Sequence, residues 1–204
     1  MFRPHSLNGG NLMGRIVITE FVSLDGGMEG PGGENPKLGP WTFQYDRGPE
    51  GDKFKSDELM ASDALLLGRV TYEGFAKAWP SRNEDDFSRK FNSIRKYVVS
   101  STLTDADATW NNSVVLRGDA VTEVAKLRAM PGGDVVVHGS GQLARTLIAA
   151  NLVDELRLMV FPIVLGAGKR LFGESDRPAK FELTSSKALP SGILLLTYRP
   201  AAAV

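Results

Sequence analysis

Residues 135–144 read VVVHGSGQLA, three β-branched residues and a histidine running through a Gly-Ser-Gly turn into a helix-forming segment. A short apolar run bounded by glycine is the pattern of a buried strand, and the strand-to-helix step across 138–143 identifies one half of a βα unit. Two more apolar runs leave through glycine, LLLGRVT at 65–71 and PIVLGAGKR at 162–170. Glycine allows backbone to approach an anion closely, and the N–H groups that open a helix supply donors at the positive end of its dipole. Ligands of open α/β sheets lie beyond the carboxyl ends of the strands, so these exits are where a phosphate-bearing ligand is expected.

Working outward, 15–24 (RIVITEFVSL) is expected to form a buried first strand. A Gly/Pro-rich loop over 25–51 follows, with Trp41, Phe43 and Tyr45 expected to pack it over a neighbouring surface. Residues 52–62 predict a helix, 64–67 a strand, and 70–79 a helix stopped by Pro80. Phe87, Phe91 and Ile94 share one face of a short helix. Strands are expected at 96–100 and 113–116, a helix from an Asp119 cap to Met130, a strand at 134–138 and a helix at 143–150 with Asn151 as its left-handed cap. A strand at 155–160 and a hairpin of 181–187 with 193–198 complete the chain. Strands alternate with helices until the end, which predicts an α/β fold: one mostly parallel sheet with an antiparallel C-terminal hairpin and helices on both faces.

Composition narrows the function classes. The 204 residues carry 24 Lys+Arg against 24 Asp+Glu, without the basic excess of a nucleic-acid binder. Cysteine is absent, which excludes disulfides, thiolate zinc sites and a cysteine nucleophile; the two histidines, His5 and His138, are too few for a histidine metal cage. No G-x-S-x-G elbow supports a serine hydrolase. The most apolar stretch, 143–168, is broken by Arg145, Asp154, Glu155 and Arg157, so no membrane span is expected. The first twelve residues have no signal-peptide core and read as a disordered leader before a single domain at 13–200, which makes the cytoplasm the expected location.

GSGQLA has the G-x-G-x-x-[GA] spacing of a dinucleotide turn, which is also that of any tight strand-to-helix turn. It follows a late strand, and no acid stands about 20 residues on to hold a ribose 2′-hydroxyl, since Glu155 opens its strand. That gap, together with Arg69, Arg117 and the hydroxyls of Ser100, Ser101 and Thr102 near other strand exits, suits a 2′-phosphate and hence NADPH. Asp52 and Asp25 are the candidate proton donors or anchors; either could instead cap a helix or turn. His138 reads as cofactor-adjacent or as a core histidine, and Asp154-Glu155 points to opposite faces of a strand.

The segments ITEFVSLDGGMEG, LLLGRVTYEGF, YVVSSTL, VVVHGSGQLARTLI and LVDELRLMVFPIVLGAGKRLF, in that order, resemble the dihydrofolate-reductase-like superfamily. The resemblance is to the RibD C-terminal domain, the reductase half of the bifunctional riboflavin-biosynthesis deaminase–reductase, and to its stand-alone bacterial members. It implies NADPH binding, a small-molecule substrate and a homodimer. It assigns Gly68, Arg69, Val70 and Thr71 with Gly139, Ser140, Gly141, Gln142 and Leu143 to the pyrophosphate. Ser100, Ser101 and Arg117 go to the 2′-phosphate, and the first strand's end near Val22 to the nicotinamide. The deaminase half's zinc ligands have no counterpart here, and 59–64 lacks the arginine that holds the substrate's ribose phosphate in the riboflavin enzyme. Asp52, 16 residues before Gly68, matches the spacing of dihydrofolate reductase's pterin-binding carboxylate. The implied activities are a reductase of a small heterocycle or carbonyl, the riboflavin-pathway aminouracil reductase or dihydrofolate reductase, or else an NADP-binding module without turnover.

Overall fold

A computed structural model describes residues 14–173 and 178–201; the leader expected at 1–12 lies outside them. One eight-stranded sheet organises the chain, with β1 (Arg15–Ser23), β2 (Ser62–Gly68), β3 (Arg95–Val99), β4 (Ser113–Leu116), β5 (Asp134–His138), β6 (Glu155–Phe161), β7 (Phe181–Ala188) and β8 (Leu194–Pro200) in the order β4-β3-β2-β5-β1-β6-β8-β7. The first six strands are parallel; β8 is antiparallel to β6 and to β7, which forms the expected hairpin.

Helices α1 (Gly48–Met60), α2 (Arg69–Ala78) and α3 (Asp86–Ser93) cover one face, and α4 (Ala120–Ala129) and α5 (Gly141–Ala149) the other. Being covered on both sides explains why β1 reads as an apolar run rather than an alternation: Ile16, Val17 and Ile18 are all fully buried. Each such side chain contributes roughly 1.5–3 kcal/mol on leaving water. Their even-numbered members meet Val124, Leu143 and Leu147 of α4 and α5. On the opposite face, Leu65 and Leu67 pack with Tyr72, Phe91 and Trp110.

Three local expectations change. Helix α1 starts at Gly48, not at Asp52, because Pro49 fits the first turn, where no N–H is needed, and the Asp46 carboxylate accepts the Gly48 N–H at 2.8 Å. Asp52 therefore lies in the second turn and is no N-cap. Ser62 ends no helix; it opens β2, its hydroxyl donating back to the Glu58 carbonyl at 2.6 Å. In the long loop Trp41 is fully buried, its indole N–H donating to the Glu29 carbonyl at 3.0 Å and its ring set edge-on to Phe161, whereas Phe43 is 76% exposed.

The α3 end depends on Lys96, whose ammonium is buried in β3. It donates to the carbonyls of Asn92 (2.7 Å), Ile94 (2.8 Å) and Asn111 (3.0 Å) and lies 4.2 Å from the Trp110 ring centroid. Burial pushes its pKa down to about 8, so it remains the cation at the C-terminal end of the α3 dipole near neutral pH. Lys96→Met should leave three carbonyls without a donor and lower stability by roughly 2–4 kcal/mol in urea unfolding. An unchanged midpoint would show that the ammonium does not hold this corner together.

Candidate active site

The pairing of β1 with β5 stops at Thr19 and His138, but its pairing with β6 continues to Ser23 and Phe161. From Glu20 onward β1 has no strand beside it where β5 has turned away, and on that side the Ser23 N–H donates to the Gly27 carbonyl at 2.9 Å. The chain leaves β1 toward α1 on one face and β5 toward α5 on the other. That divergence is a topological switch point, the place where an open α/β sheet forms its ligand crevice.

Beside it the first two glycine exits are joined. The Gly68 N–H donates to the Ser140 hydroxyl at 2.9 Å, the Ser140 N–H donates to the Thr71 hydroxyl at 3.0 Å, and the Ser140 hydroxyl donates to the His138 carbonyl at 3.1 Å. Gly139 and Ser140 both have left-handed φ, +56° and +58°, which turns the chain sharply into α5. Neither α2 nor α5 has a side-chain N-cap. Their first turns, Arg69-Val70-Thr71 and Gly141-Gln142-Leu143, leave backbone N–H donors and two positive dipole ends side by side. This arrangement fits a pyrophosphate. The Leu143 side chain is in the core, which leaves only its backbone at this turn. A Cβ on Gly141 would meet the sulfur of Met28, so a side chain there would have to displace the end of that methionine from its packing against α5.

One step past the aligned residues Gly68, Val99 and Leu116 stand Arg69, Ser100 and Arg117, in a row across three neighbouring strand ends. Arg69 pairs with Glu73 at 3.0 Å and Arg117 with Asp105 at 3.0 Å, both arginines half-exposed. Ser101 and Thr102 are exposed. Ser100 is buried, and its hydroxyl accepts from the N–H groups of Thr102 (3.1 Å) and Leu103 (2.9 Å), so it holds the turn.

The third glycine exit is not part of this arrangement. Among the described residues no helix follows it, and its amides already have acceptors: Asp25 takes the N–H groups of Leu165 (3.0 Å) and Gly166 (3.0 Å), and Glu29 takes that of Lys169 (3.0 Å). These bonds, led by the Ser23 hydroxyl at 2.6 Å, hold Asp25 down at about 2. An acid this strong has no proton to give near neutral pH, and the structure makes Asp25 a tie between two loops. The Val22 side chain is buried in the α4–α5 core, and its N–H and C=O, in step with those of Ile16 and Leu24, face β6.

Asp52 is exposed and pairs with Arg47 at 2.9 Å. Both line a cleft of about 250 Å³ with Phe21, Thr42, Phe43, Tyr45 and Asp46. Behind Phe21 a polar band crosses the α1 face, because Thr19 is in register with both His138 and Arg157. Lys55 from α1 donates to the Thr19 hydroxyl at 2.7 Å and pairs with Glu58, which also meets Arg157 at 3.4 Å. Burial opposes the Glu58 charge, but Lys55 and Arg157 outweigh it and keep its pKa below the usual value. His138 lies edge-on to Phe91, its Nε2 buried without a partner. Glu20, on the other side of β1, is buried with Oε1 also unpartnered. Neither Lys55, Glu58 nor Glu20 was singled out from sequence, although a glutamate inside an apolar central strand is a visible signal. Among the described residues no group of three or more His, Asp or Glu could hold a metal ion, and no helix is long and apolar enough to cross a membrane.

Comparison with known proteins adds the family. The model of the RibD C-terminal domain matches residues 15–195. Bacillus subtilis YyaP is 30% identical over 188 residues, covering 90% of this chain and 94% of YyaP. A Shewanella protein named for riboflavin biosynthesis shares the fold at TM-score 0.73 and 22% identity, over 92% of this chain and 99% of that one. Enterococcus faecalis dihydrofolate reductase, solved with NADP(H), does so at 0.59 and 19%, over 92% and 97%.

His138 gives a pH test. Burial, with Lys55 adding to it, lowers its pKa from 6.5 to about 3, so the unfolded chain takes up a proton first as pH falls. Stability is therefore complete above about 6.5 and lost progressively toward 3. Relative to His138→Phe, the wild type should lose ground in urea unfolding across that window. Parallel curves would mean the imidazole is not buried in the neutral form.

Proposed function

The chain belongs to the RibD C-terminal domain family, and on that premise we propose that it is an NADPH-dependent reductase that passes hydride to a small heterocyclic or carbonyl substrate. The observation that carries the reading is the pair of uncapped helix starts, α2 and α5, joined through Ser140 next to the β5–β1 crevice. Backbone N–H groups of 69–71 and 141–143 would hold the pyrophosphate. Arg69, Arg117, Ser101 and Thr102 would surround the 2′-phosphate, with Ser100 shaping their turn. From β4 to β1 the strand ends span about 19 Å at roughly 4.8 Å per strand, the scale of an extended dinucleotide. The open-edge backbone of β1 beside Val22 would meet the nicotinamide.

When bound, NADPH supplies the hydride. The protein's part is to orient the acceptor, exclude water and provide a proton. The cleft floored by Phe21 is small, which favours a one- or two-ring substrate. Asp52 would accept hydrogen bonds from ring N–H or amino groups, as a carboxylate does for a pterin-like ring. The cation at the cleft, Arg47, already pairs with Asp52, and 59–64 supplies no arginine, so a phosphoribosyl substrate is disfavoured. We place the enzyme in the cytoplasm as a homodimer; the outer strand β7, exposed along most of its length, supports association through that edge.

NADPH should bind at least about tenfold more tightly than NADH, a difference of only ~1.4 kcal/mol for charge-assisted bonds to one phosphate. Calorimetry giving equal affinities would remove the 2′-phosphate assignment, and NADPH binding without oxidation by any acceptor would favour a binding module.

Asp52→Asn should leave NADPH affinity and stability near wild type and raise KM by about tenfold or more, as expected for a lost substrate anchor. Steady-state kinetics with unchanged KM would place the substrate elsewhere.

A further inference from the structure

Arg47 is the one cation among the residues that line the Phe21 cleft, where Asp46 and Asp52 are the other charges. It stands immediately before α1, at the positive end of a helix dipole, where a cation is ordinarily disfavoured. Two glycines seat it there. Gly48 is left-handed at φ +59°, which folds Arg47 back over the first turn of α1, and the Gly51 N–H donates to the Arg47 carbonyl at 3.1 Å. A Cβ at Gly51 would lie 2.7 Å from the Arg47 Cβ and 3.0 Å from the Leu189 side chain. Glycine weakens a helix relative to alanine, and here the room it leaves is taken by the stem of Arg47. The guanidinium carbon lies 5.9 Å from the Phe21 ring centroid, and one of its nitrogens meets the Asp52 carboxylate at 2.9 Å. Among the described residues that is its only ion pair, which leaves guanidinium N–H groups for a ligand. Lys55, the other cation near the Phe21 ring, is spent on Thr19 and Glu58 and is not part of the lining.

We propose that Arg47 selects the substrate by donating to a ring carbonyl oxygen next to the N–H that Asp52 holds, an assignment that rests on the reductase reading and the Asp52 anchor above. A guanidinium beside a carboxylate presents a donor next to an acceptor. Its planar complement is an acceptor next to a donor, the C=O and N–H of a cyclic amide. Phe21 supplies the aromatic surface for the face of such a ring. Two carboxylates against one guanidinium leave the lining net negative, which turns away a full anion but not a neutral carbonyl. An amino group in place of the carbonyl sets N–H against N–H and leaves the guanidinium without its acceptor. Arg47 thus separates oxo rings from amino rings. Asp52 alone does not make that choice, since a carboxylate accepts from either.

The test is calorimetry at neutral pH on the protein saturated with NADP+, using pterin and the diaminopteridine that carries an amino group in place of its ring carbonyl. The wild type should bind pterin at least about tenfold more tightly than the diamino ring. Arg47→Met should weaken pterin binding by about tenfold or more, change binding of the diamino ring by less than about threefold, and leave NADPH affinity as it is. If Arg47→Met does not fold, Gly51→Ala, which pushes Arg47 off its seat, must lose the same preference. A wild type that binds NADPH but binds the two rings equally, prefers the diamino ring or binds neither overturns this assignment and leaves the reductase reading standing. A variant that keeps the wild-type preference for pterin overturns it as well. A wild type that does not bind NADPH overturns the reductase reading, and this assignment with it.

Discussion

Strand β1 loses its β5 neighbour at Thr19 and keeps β6 for four more residues, and the rest of the site depends on that unequal pairing. An open edge in the middle of a parallel sheet would ordinarily leave backbone donors and acceptors stranded. Here α1 and α5 diverge to opposite faces and leave room for a ligand to satisfy them. The buried run Ile16–Val17–Ile18 fixes β1 in place, so the opening has rigid walls although its lining is polar.

Electrostatics then separates the exits. Two helix dipoles meet at β2 and β5 with no acid capping either first turn. At β6 the corresponding amides are neutralised by Asp25 and Glu29. The first pair therefore keeps amides open to an anion, whereas the third exit has its own carboxylates on them, themselves paired with Lys169 and Arg170. This is a property of partners rather than of glycine itself, since all three exits look alike along the chain.

Much of the fold is legible in sequence because its strands are buried on both faces and its helices carry clear stops. The apolar runs at 15–23, 64–67 and 134–138 could hardly be anything else once glycine and proline bound them. The parts that mislead are those decided at a distance. Gly141 looks like a phosphate glycine, but Met28, more than a hundred residues earlier, fills the space a side chain would need. Ser100 looks like a free hydroxyl, but the turn it opens consumes it. Asp52 looks like a cap until Pro49 moves the helix start back. Lys55 and Glu58 pass for one more solvent-facing pair three residues apart, and only the register of Thr19 with His138 and Arg157 reveals the band they complete.

Glu20 and Asp25 lie five residues apart on the same strand exit, and their surroundings drive them in opposite directions. Asp25 accepts from a hydroxyl and two amides, each of which favours the ionised form, and it stays a carboxylate. Glu20 Oε1 has no hydrogen-bond partner, and burial, opposed by the Lys55 charge, raises its pKa well above the ordinary value. Exchanging the side chains alone would exchange neither role, because the donors belong to the loops and not to the acids. The same bonds that keep Asp25 ionised tie down the β6 loop beside the crevice. The two acids thus answer to the partners around them rather than to their place along the chain.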